Sequence, residues 1–586
     1  MVSTTHRHKR GSCRRVLIPA WLVLTILFSG NIPLAGQDSP FDPAMSAEAA
    51  RILEQVDCYT DRSLYICSEV VRFRASLRGT SPAVPESWST VLYVELVSPE
   101  GNRLAQDKYP FRNRIVSGEL RIPDQLLTGT YYLRCYTRWM RNMGQTSFAY
   151  VPLKIVNPQQ PELLEESGQE PWTRSFSGEP EKRVALEFEN HPESFAGEEA
   201  VRLELRFAGI TLSDTLRGCL TVVPLSTRPV YQLRPEALSG RDSSGTFTLR
   251  FLPDRQGPSL SGVVIYPEGS GENKPRARVH LTLMGEERGY FVSRSDTSGR
   301  FIVGLPALEG NLEFFVQAEI PGSGPAEVRI DQDFDPRETR MPPVRFSLTG
   351  EEVRTATILA RNLQLAGIYE RSGSVGKQDE EWGTYPFYGS PTRSVDLDQY
   401  VLLPTLKEVF LNLVPGVTPV NRRNRTSLEI FSENPSLSLY DPLVMVDEVP
   451  VLDMEQFLSV SPAKIRQVDV IEDVYVKGDA RFGGIINLRS RERDMAGMDL
   501  PDHSFFFDYQ ALHPVHPVHP DPGSPGDRRP DTRNTLLWIP DLRVTKGTRQ
   551  MVEVRAPDYP GTYVVLFRGR DSEGTPFTAE TTFQVR

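Results

Sequence analysis
Three imidazoles recur at intervals of three in His513-Pro514-Val515-His516-Pro517-Val518-His519. Imidazole nitrogen is a common ligand for zinc and copper. In a polyproline II helix, with three residues per turn, all three rings project from one edge, with successive Cα atoms about 9 Å apart. A metal holds its ligand nitrogens at about 2 Å, so neighbouring histidines share an ion only if the chain bends. The run therefore reads as a Pro-rich spacer over 513–530, and no metal or other cofactor is expected. Thiols are the second chemistry on offer. Cys58, Cys67, Cys135 and Cys219 lie beyond the N-terminal leader, and an exported chain can oxidise them. The first three fall in one expected domain, so at most one bridge forms among Cys58, Cys67 and Cys135, and spacing does not say which pair makes it. Glu380-Glu381 sits in a polar linker and reads as solvated. There is no HExxH, CxxC, GxSxG or Walker A run. The expectation is a protein that is not an enzyme.

The elements that position these residues are mostly short strands. At 586 residues the chain is too long for a single core. Glycine and proline are plentiful, at 43 and 48 residues, and helical periodicity is scarce. The formal charge of −10 argues against a nucleic-acid or anionic-membrane partner. The first 36 residues have the layout of a signal peptide. Lys9, Arg10, Arg14 and Arg15 precede an apolar run from Val16 to Phe28, and Leu34-Ala35-Gly36 is a small-residue cleavage site. No later run is apolar enough to cross a bilayer as a helix. The expected location is the periplasm or the outer-membrane surface.

Along the chain, "TDRSLYICSEVVRFRASL", "VLYVELVSPEGNRL" and "GTYYLRCYTRWMRN" predict a β-sandwich over 52–157. In the last of these, alternation places Tyr131, Leu133 and Cys135 on the inward face and Tyr132, Arg134 and Tyr136 on the other. "VALEFE", "VRLELRF", "GCLTVVPL" and "GTFTLRFL" predict a second sandwich over 182–252, and the strands of 535–586 predict a separate closing domain. Its GTYVVLF echoes GTYYLRC. A helix is expected around Val353 to Tyr369. The fold class is mainly β and multi-domain: serial Ig-like sandwiches plus one small α+β domain.

Several segments resemble known families. "DRSLY" with "GTYYLR" resembles a macroglobulin-like domain, with Cys67-Ser68-Glu69 where such domains have a Gly-Glu turn. No Cys-Gly-Glu-Gln thioester run accompanies it, so protease trapping is not implied. Residues 258–348, with the Asp296-Thr297-Ser298-Gly299-Arg300-Phe301 hairpin, resemble a carboxypeptidase regulatory-like domain, which is non-catalytic. Residues 396–491 resemble the plug of TonB-dependent receptors: "PLVMVDEVPV", "PAKIRQVDVIE" and "RFGGIINL" follow the plug's order, after a helix over Leu406 to Leu413 that ends at Pro415-Gly416. Within it, Leu443–Val446 and Val449–Leu452 are expected strands, Tyr475–Gly478 a turn, and Ser461-Pro462 the start of a helix. The order of domains resembles a Bacteroidetes envelope protein family that carries a plug without a barrel.

One departure from the plug pattern stands out. Plugs place Gly after the turn Asp, and here the pair is Asp447-Glu448. A relaxed type I turn tolerates Glu. A left-handed Glu448 would instead be strained, and would mark the pair as a partner contact. A receptor barrel needs well over roughly 200 further residues, and fewer than a hundred follow Arg491. The resemblance thus implies a free-standing module or one that docks on another protein. The expected function is a non-enzymatic binding or scaffold protein of the envelope with an outer-membrane protein as partner. The alternative is a ligand-capture protein for glycan or peptide.

Overall fold
The computed structural model describes residues 52–79, 88–160, 162–164, 182–183, 185–187, 194–197, 199–208, 215–233, 249–267, 274–285, 288–337, 341, 346–370, 386–422, 425–514, 530–545, 550–571 and 574–586. The leader, Glu380-Glu381, His516 and His519 lie outside these. The protein is mainly β and multi-domain, with its strands in four units that the chain visits in nested order.

The first sandwich packs a sheet of Glu54–Thr60, Val70–Gly79 and Ile115–Arg121 on a second sheet. The second runs Leu64–Ile66, Ala149–Val156, Gly129–Tyr136, Val91–Val97, Arg103–Pro110. Tyr131 and Leu133 lie in its core. The expected outward face of Gly129–Tyr136 is also buried, which corrects the simple in/out alternation. Arg134 is paired with Glu95 at 2.7 Å with neither side chain exposed. The Tyr136 hydroxyl oxygen accepts from the Asp335 backbone N–H at 2.8 Å, an interdomain contact, and Phe334 packs edge-on to Tyr93. The outer face is dry because the chain that leaves the middle sandwich crosses it.

The second sandwich corrects the domain expectation. Segments 182–252 and 535–586 are not two domains but two parts of one. Leu216–Pro224 lies between Leu537–Val544 and Gly561–Arg570, and Ala200–Ala208 pairs with Gln550–Arg555. Their shared core joins Val201, Leu216, Leu220 and Val222 to Val552, Val554, Val565 and Phe567. The physical reason is strand count: neither segment alone has two layers with which to bury an apolar face. The 182–252 boundary shifts as well, since Leu249 packs against Trp139 of the first sandwich.

The middle sandwich holds Ser259–Val264, Arg300–Gly304 and Val328–Ile330 against a sheet built on Arg278–Leu283 and Asn311–Ile320. Its hairpin turn is an Asx-type turn. Asp296 Oδ1 accepts from the N–H groups of Ser298 and Arg300, both at 2.9 Å, and Gly299 has φ +89°. Phe505–Gln510, from beyond the small α+β unit, adds an edge strand to Asn311–Ile320. The middle domain therefore also closes late in the chain, and 258–348 is not its whole extent.

Helix α1, Gly350–Glu370, opens with a capping box. Thr349 Oγ1 accepts from Glu352 N at 3.2 Å, and Glu352 Oε2 accepts from Thr349 N at 2.7 Å. The small α+β unit follows, its sheet ordered Arg393–Asp396, Ile465–Ile471, Ile485–Ser490, Leu443–Val446, Val449–Pro450. Helices α2 (Leu406–Asn412) and α3 (Met454–Ser459) start at Thr405 and Asp453, whose side chains accept from the first-turn N–H groups. The expected turn over 475–478 is instead the strand Tyr475–Lys477, paired with Ala480–Phe482. Pro462 begins only a 3₁₀ turn, and Ser461 makes no side-chain cap bond there.

Strand Leu443–Val446 is wholly buried because both sheet faces are covered. Val444 and Val446 pack on the helices of their own unit. Leu443 and Met445, one residue out of phase, pack on Tyr290 and Val292 of the middle sandwich.

Candidate functional site
Val446 and Val449 are paired, so Asp447 and Glu448 form a two-residue hairpin loop. Both have positive φ, at +50° and +69°, as a type I′ loop requires. The relaxed type I turn is thereby corrected: strand twist forces the primed geometry although neither residue is glycine. Asp447 is 4% exposed. Its carboxylate accepts from Ser490 N at 2.8 Å, Ser490 Oγ at 2.6 Å and Met495 N at 2.9 Å. It closes the turn after Ile485–Ser490 and is not a surface contact, which corrects its assignment to a partner. The short polar side chain offsets part of the left-handed cost.

Glu448 is half-buried. Its backbone N–H donates to Asn487 Oδ1 at 3.0 Å, and its Oε2 faces the Phe387 N–H at 3.4 Å. Burial raises its pKa above the usual carboxylate value. Around it, Tyr388 donates to Asp469 Oδ2 at 2.9 Å and accepts from Asn487 Nδ2 at 2.8 Å. Arg288 of the middle sandwich donates to the carbonyls of Asp447 and Arg493. Gln317 Nε2, from the same sandwich, donates to Pro450 O at 2.7 Å. The hairpin thus seats the α+β unit on the middle sandwich. Sequence gave no signal for Arg288 or Gln317, which lie over a hundred residues upstream.

The "DRSLY…E" run is a second polar centre. Arg62 pairs with Glu69 at 2.8 Å, and Tyr65 donates to Asp61 at 2.6 Å, all buried. Ser68 takes φ +74° at the position where the resembling domains have glycine. The network reaches the tail: Thr535 Oγ1 donates to Asp61 at 2.5 Å, and Asn534 Nδ2 donates to Glu69 at 2.6 Å. Beside it, a cavity of about 510 Å³ opens between helix α1 and the second sandwich. Its lining includes Asn362, Asn534, Arg533 and Tyr559. Asn362 is 3% exposed; its Nδ2 donates to Asn534 Oδ1 at 3.0 Å, but its own Oδ1 has no hydrogen-bond partner. A buried carbonyl left so is costly.

The other sequence candidates separate. His513 does not lie along a free edge: its Nδ1 is 2.7 Å from Asp107 Oδ2, its N–H donates to Lys108 O at 2.7 Å, and Asp107 raises its pKa. Among the described residues no group of three His, Cys, Asp or Glu is placed to hold a metal, and no helix is long and apolar enough to cross a membrane. Of the cysteines, Cys58 and Cys135 are brought together with sulfurs 3.4 Å apart. Cys67 lies elsewhere, with its Sγ 3.5 Å from Leu126 O, and Cys219 packs with Tyr59 and Trp538.

No family model and no curated protein matches the chain. Solved structures that superpose on it include native Escherichia coli alpha-2-macroglobulin (9% identity, 91% of this chain and 40% of that one, TM-score 0.23). Salmonella alpha-2-macroglobulin reacted with methylamine gives 9% identity over 94% of this chain and 40% of that one, TM-score 0.22. Dimeric latent PorU from Porphyromonas gingivalis gives 9% identity over 47% and 33%, TM-score 0.15. The chain spans less than half the length of these macroglobulins, and TM-scores of this size assign it neither an activity nor a partner.

Proposed function
We propose that the protein is a non-enzymatic scaffold of the cell envelope that presents its plug-like α+β unit to an integral outer-membrane protein. The observation that carries this reading is an apolar run on that unit. Tyr400, Val401 and Leu402 stand 50%, 86% and 64% exposed, and Leu411, Phe431 and Leu439 of the same unit are also more than half exposed. The hairpin side is already occupied by the middle sandwich, so these residues are what the unit leaves for a partner. Consecutive large apolar side chains facing water are costly, and such patches commonly serve as interaction sites. A photo-crosslinker at position 401 tests this in intact envelopes. The expected product is an adduct with an integral outer-membrane protein that is lost in Leu402→Asp. Absence of any such adduct from a correctly exported chain would overturn the proposal.

The cavity beside Asn362 favours a second reading, capture of a glycan or peptide. Binding on a glycan or peptide array that Asn362→Leu abolishes and Leu402→Asp leaves intact would support this reading over the first.

A further inference from the structure
We infer that Cys58 and Cys135 are joined by a disulfide in the exported protein, and that this bond locks the strand on which the second sandwich docks. The two sulfurs are 3.4 Å apart, and the residues are 1% and 0% exposed. They sit on opposite sheets of the first sandwich: Cys58 on Glu54–Thr60, opposite Ala75, and Cys135 on Gly129–Tyr136, opposite Val94 and Ala149. Closing that gap to a bonded distance of about 2.05 Å takes a shift of little more than about 1 Å, within the reach of side-chain rotation. The remaining thiols cannot compete, because Cys67 is directed at Leu126 O and Cys219 is packed between Tyr59 and Trp538.

The bond forms by exchange with a protein disulfide. One cysteine thiolate attacks that disulfide, the second cysteine displaces the mixed intermediate, and the oxidant leaves as a dithiol. The chain gives up two protons and two electrons, which the oxidant carries away as its dithiol. Burial places this step during folding, before the two sheets close.

Cys58 lies in the strand that carries the contact with the second sandwich. Its backbone N–H donates to Gln232 Oε1 at 2.8 Å, and Gln232 Nε2 donates to Val56 O at 3.1 Å. Arg570 Nη2 donates to Asp57 Oδ1 at 2.8 Å, and Arg568 Nη2 donates to Thr60 O at 2.6 Å. Among the described strands Glu54–Thr60 is also an edge, paired with Val70–Gly79 alone. A covalent tie to the central strand Gly129–Tyr136 fixes the docking edge from behind.

The test is a thiol map of the full chain made in an oxidising secretory compartment. The protein is denatured in iodoacetamide without reductant, digested and weighed. The expected result is alkylated Cys67 and Cys219, with the Cys58 and Cys135 peptides joined and two hydrogens lighter than the pair of free thiols. Alkylation of all four, or linkage of either residue to a different cysteine, would overturn the assignment. For the docking role, reduction should lower the thermal midpoint by several degrees and speed amide exchange in 216–224. Neither change should occur on reduction of the Cys58→Ser/Cys135→Ser variant. If that variant fails to fold, Cys67→Ser serves instead: it should keep both the linked peptide and the response to reductant. Faster exchange that is absent on reduction of the wild-type chain would contradict the docking role.

Discussion
The first and second sandwiches share a motif and differ in how the chain builds around it. In both, a Gly-Thr-Tyr strand is central: Gly129–Tyr136 in one, Gly561–Arg570 in the other. In both, the tyrosine hydroxyl returns to a carbonyl four residues upstream, Tyr131 to Leu127 at 2.7 Å and Tyr563 to Tyr559 at 3.1 Å. Such a tyrosine pins the corner at which a strand begins. Yet Gly129–Tyr136 finds its neighbours nearby in sequence, at Val91–Val97 and Ala149–Val156. Gly561–Arg570 takes one neighbour from Leu216–Pro224, across the whole middle of the chain. A local motif fixes how a strand starts; it does not choose the strand's partner. The second sandwich has high contact order and cannot close until the tail exists.

The largest effect that could break this comparison is truncation. A chain ending at Pro530 leaves Leu216–Pro224 without either neighbouring strand. Hydrogen exchange should show amides 216–224 exchanging as in an unfolded chain while 91–97 stay protected; protection of both would mean that the first segment folds alone. Next, Leu133→Ala and Leu220→Ala delete the same side chain from the two cores, where each leucine is fully buried. Each should cost about 2–5 kcal/mol by denaturant unfolding. A silent Leu220→Ala would show that the second sandwich has no core of its own.

A smaller effect concerns the joint between the two. Asp57, 2% exposed, is bonded by both Arg78, at 2.6 Å, and Arg570, at 2.8 Å. Arg570→Ala removes its charged hydrogen bond to Asp57, worth about 1.5–3 kcal/mol, along with its bond to Gly574 O, and a double-mutant cycle with Asp57→Asn should isolate the coupling to Asp57. Two buried acids should give the first sandwich a pH response: Glu54 within it and Asp254, which accepts from the Tyr93 hydroxyl at 2.9 Å. Burial raises Glu54 to about 7 and, with Asp333 adding to it, Asp254 to about 6. A folded state that holds protons more tightly than the unfolded chain is favoured at low pH. This contribution should be full below about pH 4, near the ordinary carboxyl values, and lost as the pH rises through 6 to 7. Thermal midpoints measured across that range should fall in the wild type and fall less in Glu54→Gln. The smallest effect is at the hairpin. Glu448→Gly relieves a positive φ and should stabilise by a few tenths to about 1 kcal/mol; destabilisation would mean that the carboxylate contact with Phe387 outweighs the strain.

What the sequence made legible was local. Helices α1 and α2 were visible from their helical patterns, α2 also from its stop at Pro415-Gly416, and the strand at Leu443–Val446 from its apolar run. The face of Tyr131 and Leu133 was legible too, because period two marks one buried side. It could not show that Tyr136 on the other side is equally buried, since Asp335, which bonds its hydroxyl, lies about two hundred residues away. The tail carried strand patterns, but a pattern reports burial and not pairing, and the edge strand Phe505–Gln510 was not read at all. Asn362 in the cavity carried no signal, being one polar residue on a long helix. Asn534 carried none either, because its bond to Glu69 depends on tertiary closure.

Nested closure is most directly tested by a cross-link between its two halves. Arg202 and Glu553 face each other in register on adjacent antiparallel strands, where Cα atoms stand about 4.5–5.5 Å apart, inside the range a disulfide spans. The Arg202→Cys/Glu553→Cys chain, oxidised under native conditions, should form that bond within one molecule. Its digest should then join a peptide around 202 to one around 553, with the thermal midpoint unchanged or raised. Two free thiols at these positions in the folded protein, or a bond that forms only between molecules, would contradict a second sandwich assembled from both ends of the chain.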